Sequence, residues 1–137
     1  TATTEIYTLS LHDAFPIYGV VWHGTYLRWM EQGRVEFCRE IGLDLVELMN
    51  ADITIPVTNL NIRYKASAKL DDKIAIETWI SKVTPLTITF AQAIKSEDLL
   101  KTYTVAEIEV VAVNNQGKIY RRLPEVLKNA CEKVLEA

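Results

Sequence analysis

The strongest constraint on the fold is one long amphipathic pattern that runs from Thr25 to Gly42. Its apolar side chains, which include Met30 and Phe37, recur at the i, i+3 and i+4 spacing of a helix with one buried face. Thr25 can cap the start of this helix, and Gly42 can take the left-handed conformation that ends it. Gly33 lies on the buried stripe, where a glycine costs about 1 kcal/mol relative to alanine. We therefore predict that another backbone lies close to Gly33 and that the chain wraps around the helix.

Alternating polar and apolar residues predict β-strands on both sides of this helix. One strand precedes it, from Glu5 to Leu11. After a short helical segment at Leu43–Met49, the apolar alternation slips by one residue around Thr58–Asn59. Such a slip would turn every later side chain to the opposite face, so we predict a β-bulge there. Further strands are predicted at 53–64, 74–80, 86–94 and 103–113, with turns at 69–72, 83–85, 95–98 and 114–117.

A final amphipathic helix is predicted from Leu123 to Leu135, with Pro124 in its first turn. The order is therefore a strand, a long helix, several antiparallel strands and a closing helix, which is an α+β arrangement. The chain has 137 residues, of which 49% are hydrophobic and 24% charged, and this composition suits one globular domain over residues 1–137. No stretch of the sequence is long and apolar enough to cross a membrane.

The charge and the cysteines of the chain limit its class. A formal net charge of -3 and a pI near 5.4 argue against nucleic-acid binding, which normally needs a strong positive field. The two cysteines, Cys38 and Cys131, have neither metal-ligand nor CxxC spacing, so we interpret them as reduced packing thiols. The first residues show no basic-then-apolar signal segment. Together these features predict a cytoplasmic protein.

The segment around the helix start resembles a known family. The run from Gly19 to Arg34 has the sequence GVVWHGTYLRWMEQGR and is similar to the 4-hydroxybenzoyl-CoA thioesterase-like branch of the hot-dog superfamily, which includes the acyl-CoA thioesterases associated with the Tol-Pal system. The likeness continues through Arg63–Tyr64, Ala68–Asp71 and Lys118–Pro124. It implies a curved antiparallel sheet wrapped around the long helix, a homodimer or homotetramer, and hydrolysis of acyl-CoA thioesters in a cleft between subunits. It implies no metal, and no cofactor other than the coenzyme A that the substrate carries.

The position of the catalytic acid is where this chain departs from the family pattern. Pro16 stands where the family has its aspartate, and the nearby carboxylate is Asp13, with Phe15–Ile17 inserted in between. The resemblance therefore assigns the acid role to Asp13, either as nucleophile or as general base toward water. His23 would orient the substrate or its water, or assist the leaving thiolate. Glu31 is the alternative acid, because another hot-dog branch takes its active carboxylate from this helix. Otherwise Glu31 pairs with Arg34 at i+3 or with Arg28 at i-3.

The N-terminal segment has a second unusual feature. The run from Thr8 to Ile17 resembles the translation of a common sequencing-library adapter. We hypothesise that this part of the gene is an assembly artefact. Resequencing the source DNA across the segment tests the hypothesis, and a contiguous natural gene would rule it out.

Main-chain donors and aromatic residues complete the site that the resemblance implies. The backbone N–H groups of Gly24 and Thr25, near the helix N-terminus, can donate to the oxyanion that forms when a thioester carbonyl is attacked. Tyr18, Trp22 and Tyr26 are candidates for an acyl pocket. Aromatic residues in such positions more often belong to the core or to a subunit interface, which is the alternative for Trp22 and Tyr26.

Two basic clusters are candidates for binding the phosphates of coenzyme A. Arginine suits phosphate because its guanidinium offers a planar fork of donors. We favour the second cluster, whose charges follow the end of a strand, and the alternative for any one residue is a solvated rim. The first cluster comprises Arg63, Lys65 and Lys69, and the second comprises Lys118, Arg121 and Arg122.

The sheet face opposite the helix predicts self-association. Ala75 and Trp79 occupy positions of their strand that alternate with the main apolar series and so point to the opposite face of the sheet. Val111 and Val113 do the same on another strand. Burial on both sheet faces would follow, and oligomerisation through the sheet would supply it, so we predict at least a dimer.

Two alternatives to catalysis stay open at the level of the sequence. The first is a hot-dog protein that binds acyl-CoA without turnover, because the insertion displaces the acid. The second is an unrelated α+β carrier of small molecules, which fits the strand order but does not account for the run from Gly19 to Gly24.

Overall fold

The computed structural model describes residues 5–10, 16–17, 20–21, 23–69 and 73–136 of the chain. The strands among them are β1 (Glu5–Ser10), β2 (Pro16–Ile17), β3 (Val20–Val21), β4 (Val57–Tyr64), β5 (Lys73–Val83), β6 (Thr87–Ser96) and β7 (Thr102–Val111). The helices are α1 (His23–Glu40), α2 (Leu45–Asn50) and α3 (Glu125–Glu136). None of these three helices has the length and apolar character that a membrane span requires.

Five strands form one antiparallel sheet in the order β1-β5-β6-β7-β4, and β2 pairs with β3 in a separate ladder. The long helix α1 packs against β1, β5 and β6, while α3 packs against β5. Phe37 of α1 meets Phe90 of β6 edge to face, with ring centroids 6.0 Å apart. The predicted arrangement, a curved antiparallel sheet wrapped around one long helix with a further C-terminal helix, is confirmed.

Period-two alternation explains why the central strands form and which face carries the core. On β5, Ile74, Ile76, Thr78 and Ile80 are all buried at every second position. Isoleucine and threonine favour extended backbone because their branched side chains pack well on a pleated surface. These side chains form the sheet face on which α1 lies.

The ends of α1 differ in how well the sequence predicts them. The helix begins at His23, so the prediction of Thr25 as its N-cap is wrong; Thr25 lies in the first turn and is 3% exposed. The prediction for the other end is confirmed, because Gly42 has a φ of +88° and its N–H donates to the carbonyl of Arg39 at 3.1 Å. This left-handed residue turns the chain so that Leu43 is buried.

Gly33 marks a very close approach of α1 to the sheet. A Cβ atom at this position would lie 2.8 Å from Ile76 Cγ2, 3.0 Å from Gln92 Nε2 and 3.1 Å from Thr78 Oγ1. The close neighbours are therefore side chains of β5 and β6, and the prediction that a backbone lies there is wrong. Glycine allows the contact because it has no side chain to hold the helix away from the sheet.

Replacing Gly33 by alanine is expected to destabilise the protein. Overpacking a tight core costs about 1–3 kcal/mol, and the better helix propensity of alanine offsets only about 1 kcal/mol of this. Urea unfolding of Gly33→Ala measures the difference. The control is Gln32→Ala, at an exposed position of the same turn, which is expected to stay within about 0.5 kcal/mol of wild type. A Gly33→Ala variant more stable than wild type would contradict this packing.

Register shifts interrupt the ladders between the described strands at three places. The shift between Val57 and Asn59 of β4 confirms the predicted bulge. The shift after Ile80 and the shift at Lys95 were not expected from the sequence. Strand β6 also extends through Ser96, into a segment where the sequence predicts a turn.

The burial of the off-parity residues changes the argument for self-association. Ala75 and Val111 are only 1% and 6% exposed within a single chain, so their burial needs no partner. Trp79 and Val113 are half-buried. The outer sheet face is therefore weaker support for a dimer than the sequence suggests.

Candidate active site

The first turn of α1 is the centre of the candidate site. His23 is the first residue of the helix, and Gly24 and Thr25 follow it in the same turn. The N–H groups of a first turn have no acceptor within the helix, and the helix dipole gives this end a partial positive charge. The first turn of α1 contains no acidic residue that would neutralise this charge. The arrangement can therefore stabilise negative charge that develops on a carbonyl oxygen.

Three of the predicted site residues, Asp13, Tyr18 and Trp22, lie outside the described residues. Their roles as acid and as acyl-pocket residues therefore stay predictions. The structure does describe part of the insertion next to Asp13: Pro16 pairs with Val21, and Ile17 pairs with Val20. The inserted residues 16 and 17 thus form a short ladder with the residues that lead into α1.

Tyr26 lies in the core. Its side chain is 3% exposed, and its hydroxyl accepts a hydrogen bond of 2.8 Å from the Ala68 N–H. Its ring centroid lies 5.6 Å from the centroids of both Trp29 and Tyr64. These contacts fit the core alternative given for Tyr26, and they connect the beginning of α1 to the end of β4.

Glu31, the alternative acid, lies on the exposed side of α1. Together with Arg34, it lines a cavity of about 180 Å³ whose other walls are mostly apolar. Burial lowers the pKa of Arg34, and the carboxylate of Glu31 opposes this shift. The guanidinium Nη1 of Arg34 donates to Gln92 Oε1 at 3.0 Å. The predicted pairing of Glu31 with Arg34 is therefore an electrostatic interaction, while the hydrogen bond of Arg34 goes to the sheet.

The two basic clusters lie at opposite ends of the sheet. Arg63 is at the end of β4, and the N–H of Lys65 just beyond it donates to the carbonyl of Tyr103 at 2.8 Å. Both basic side chains are exposed, and the Tyr26–Tyr64 contact places this end of β4 near the start of α1. Arg63 and Lys65 are thus the predicted coenzyme A residues at the same end of the sheet as the candidate site, and Arg63 lines a depression on the sheet face opposite α1, together with Trp79 and Val105.

The second cluster follows β7, which runs antiparallel to β4. Ile119 bridges Val113, and Leu123 donates its N–H to the carbonyl of Pro85 at 2.8 Å, so the segment is fixed against the far end of the sheet. Within one chain, the favoured cluster is therefore remote from the first turn of α1. It consists of the exposed residues Lys118, Arg121 and Arg122.

Gln92 is a buried polar residue that the sequence patterns did not single out. It is 1% exposed and lies on the helix-facing side of β6. The signal was present, because Gln92 shares its parity with the apolar residues Ile88, Phe90 and Ile94. A polar side chain in such a position is informative, since burial is costly unless the group is hydrogen-bonded.

The two cysteines are expected to be unreactive in the native protein. Burial raises the pKa of the Cys38 thiol to about 11 and that of the Cys131 thiol to about 12. Because the thiolate is the reactive form, a colorimetric thiol reagent at pH 8 should detect neither cysteine before unfolding and both cysteines after it. The folded state disfavours ionisation of both thiols, whereas the unfolded chain ionises them with the ordinary pKa of 9.0. The free energy of unfolding therefore decreases as the pH rises from 9.0 towards the raised pKa values. A native thiol that reacts as fast as in denatured protein would contradict the assigned burial.

Comparison with known proteins identifies the family. The sequence pattern of the thioesterase superfamily matches residues 18–103. The acyl-CoA thioester hydrolase YbgC of Escherichia coli O6:H1 is 32% identical over 108 residues, which are 78% of this chain and 79% of that protein. The acyl-CoA thioesterase YbgC of Haemophilus influenzae is 32% identical over 94 residues, covering 68% of this chain and 69% of the relative.

A solved structure agrees with these sequence relatives. The DHNA-CoA thioesterase from Staphylococcus aureus has a TM-score of 0.88 and 25% identity, covering 97% of this chain and 91% of that one. The match over residues 18–103 includes the first turn of α1 and the whole of β4, β5 and β6. This chain belongs to the thioesterase superfamily and has the hot-dog fold.

Proposed function

We propose that this chain is an acyl-CoA thioesterase, which hydrolyses an acyl-CoA thioester to a free acid and coenzyme A. The observation that carries the proposal is the first turn of α1, where the family sequence coincides with a helix N-terminus that has no acidic residue. The similar YbgC proteins are named for acyl-CoA thioester hydrolysis. Family and geometry therefore support the same reaction.

The reaction needs an electrophilic carbonyl and an attacking oxygen. In our proposal, the backbone N–H groups of Gly24 and Thr25 donate to the thioester oxygen, and loss of one such donor typically costs about 2.7–4 kcal/mol. Asp13 either attacks the carbonyl carbon or takes a proton from the attacking water. His23 orients the substrate or its water, or assists the thiolate that leaves as coenzyme A. This chemistry needs neither a metal nor an added cofactor.

We propose Arg63 and Lys65 as residues that bind the phosphates of coenzyme A in the same chain. They are exposed and lie at the end of the sheet where α1 begins. The remote cluster of Lys118, Arg121 and Arg122 would reach a substrate only at the site of another subunit. Tyr18 and Trp22 remain the candidates for the acyl pocket.

We also propose that the protein is a homodimer or homotetramer. Strand β4 is an edge strand of the described five-stranded sheet, and Leu60 and Tyr64 on it are 43% and 44% exposed. Leu27 of α1 is 40% exposed. An unpaired edge next to apolar side chains favours pairing with a second copy. Sedimentation at micromolar concentration should show at least a dimer, and a monodisperse monomer would contradict this proposal.

A single domain over residues 1–137 and a cytoplasmic location complete the proposal. Both cysteines are free and buried, which fits a reducing compartment. Fractionation of the source cells with an antibody to the chain would test the location.

Thiol release from a panel of acyl-CoAs tests the proposed reaction. The panel should contain short, medium, long and aromatic acyl groups, because aromatic residues such as Tyr18 and Trp22 suit a benzoyl-type and a medium-chain acyl group equally well. We expect turnover of at least one substrate, and the best substrate then names the acyl class. Binding of acyl-CoA without release of thiol from any substrate would instead identify a non-catalytic binding protein, in which the insertion at Pro16 has displaced the acid.

A further inference from the structure

We propose that Gln92 is a positioning residue of the active site. Its carboxamide holds α1 at a fixed distance from the sheet and in a fixed rotation about the helix axis. The inference rests on the thioesterase function proposed above. Gln92 lies on β6 among apolar neighbours and is 1% exposed. A buried carboxamide is costly unless it is hydrogen-bonded, so its partners show what it does.

Both ends of the carboxamide contact the same turn of α1. Nε2 donates to the main-chain carbonyl of Met30 at 2.8 Å, and Oε1 accepts from Nη1 of Arg34 at 3.0 Å. Nε2 also donates to Oγ1 of Thr78 on β5 at 2.9 Å. A carbonyl can only accept and a guanidinium can only donate, so these partners fix the orientation of the amide. Gln92 therefore joins one turn of α1 to two strands of the sheet.

Gly33 lies between the two anchor points, Met30 and Arg34. The absence of its side chain allows the carboxamide to reach the helix backbone, since a Cβ atom there would lie 3.0 Å from Nε2. The two hydrogen bonds limit different movements of the helix. The bond to Met30 fixes the distance of α1 from the sheet, and the bond to Arg34 fixes the rotation of α1 about its axis. A purely apolar side chain could fill the same space but could fix neither.

The anchored turn lies close to the candidate site. An α-helix rises about 1.5 Å per residue, so Met30 is only about 9 Å along the axis from Gly24. A helix transmits a shift or rotation at the anchor to its first turn, because its own hydrogen bonds keep it stiff. A displacement of about 1 Å at the reacting groups can lower the rate about 100-fold. Gln92 thus acts on catalysis through α1, without contacting the substrate.

Two substitutions separate this role from simple core filling. Gln92→Met keeps the length of the side chain and removes all three hydrogen bonds. Gln92→Glu keeps an acceptor for Arg34, whose positive charge favours the ionised carboxylate at that position, and an ionised carboxylate cannot donate to the Met30 carbonyl. The matched control is Ile94→Val, which removes a methyl group from a fully buried side chain on the same face of the same strand.

Each variant is tested by two measurements at a temperature where it is fully folded. The first is kcat and KM for release of thiol from the best acyl-CoA substrate. The second is amide hydrogen exchange along α1, which needs no substrate. For both Gln92 variants we expect kcat to fall about tenfold to 100-fold with KM changed less than about threefold. We also expect faster exchange in α1 from Leu27 to Arg34, where the N–H groups lie beyond the first turn and are hydrogen-bonded within the helix. Ile94→Val should keep kcat within about twofold of wild type and leave exchange in α1 unchanged.

The outcomes distinguish failure of this inference from failure of the proposed function. If kcat and α1 exchange of Gln92→Met match those of Ile94→Val, Gln92 only fills the core and the inference is wrong. If Gln92→Glu keeps wild-type kcat, the bond to the Met30 carbonyl does not position the helix, which also overturns it. If the wild type releases no thiol, the proposed function fails, while hydrogen exchange still decides whether Gln92 anchors α1.

Discussion

Release of coenzyme A thiol is expected to fall about 10²- to 10⁴-fold in kcat when Asp13 is replaced by asparagine, since removal of an acid–base group typically costs this much. The amide has nearly the shape of the carboxylate, but it can neither take a proton from water nor attack the thioester. Steady-state thiol release on the best acyl-CoA substrate measures the effect. KM should change far less than kcat, because the carboxylate acts on the reacting carbon and not on the coenzyme A phosphates.

A matched control is available in Asp44→Asn. Asp44 caps α2, where its side chain accepts from the N–H groups of Val46 and Glu47, and asparagine caps helices about equally well. This variant should keep wild-type activity. Full turnover by Asp13→Asn would show that the acid is elsewhere, and Glu31→Gln would then be the next variant to measure. That result would also fit the hypothesis that the segment containing Asp13 is an assembly artefact.

Replacing Phe37 by alanine is expected to lower the free energy of unfolding by about 3–5 kcal/mol, which is typical for a large side chain deleted from a core. Phe37 is 0% exposed and packs edge to face against Phe90 at a centroid distance of 6.0 Å. The substitution removes this aromatic contact and leaves a cavity between α1 and the sheet. Urea unfolding at a fixed protein concentration measures the loss, because stability depends on concentration in an oligomer.

Phe37→Leu is the control for this experiment. Leucine keeps much of the volume and loses the aromatic pair, so we expect less than half the effect of alanine. If Phe37→Ala costs less than about 1.5 kcal/mol with an unchanged slope against urea, the contact between α1 and β6 is not the centre of the core.

The fold is predictable from the sequence wherever buried side chains repeat regularly. The slip in apolar parity around Thr58 correctly predicts the bulge in β4, and Gly42 correctly predicts the end of α1. The shift after Ile80 gave no signal, because Ser81 and Lys82 are exposed and carry no apolar alternation. Strands β2 and β3 have two residues each, which is too short for a periodic pattern.

The site is less predictable, because its parts are distant in the sequence. Gln92 bonds to Met30 and Arg34 across 62 and 58 residues, and only the packing of α1 on β6 brings them together. The choice between the basic clusters depends on the antiparallel pairing of β4 with β7. Each cluster lies near the C-terminal end of one of these strands, and the pairing places the two C-terminal ends at opposite ends of the sheet. The residue types therefore predict which side chains could bind coenzyme A. The sheet topology determines which of these side chains lie near the first turn of α1.

The most direct test of the central claim is product analysis in water enriched with heavy oxygen. Wild-type protein is incubated with the acyl-CoA panel, and the products are identified by mass spectrometry. Over many turnovers, hydrolysis predicts a free acid that carries one heavy oxygen, together with an equal amount of coenzyme A. If acyl-CoA binds and no labelled acid forms above the rate without protein, the chain is not a thioesterase.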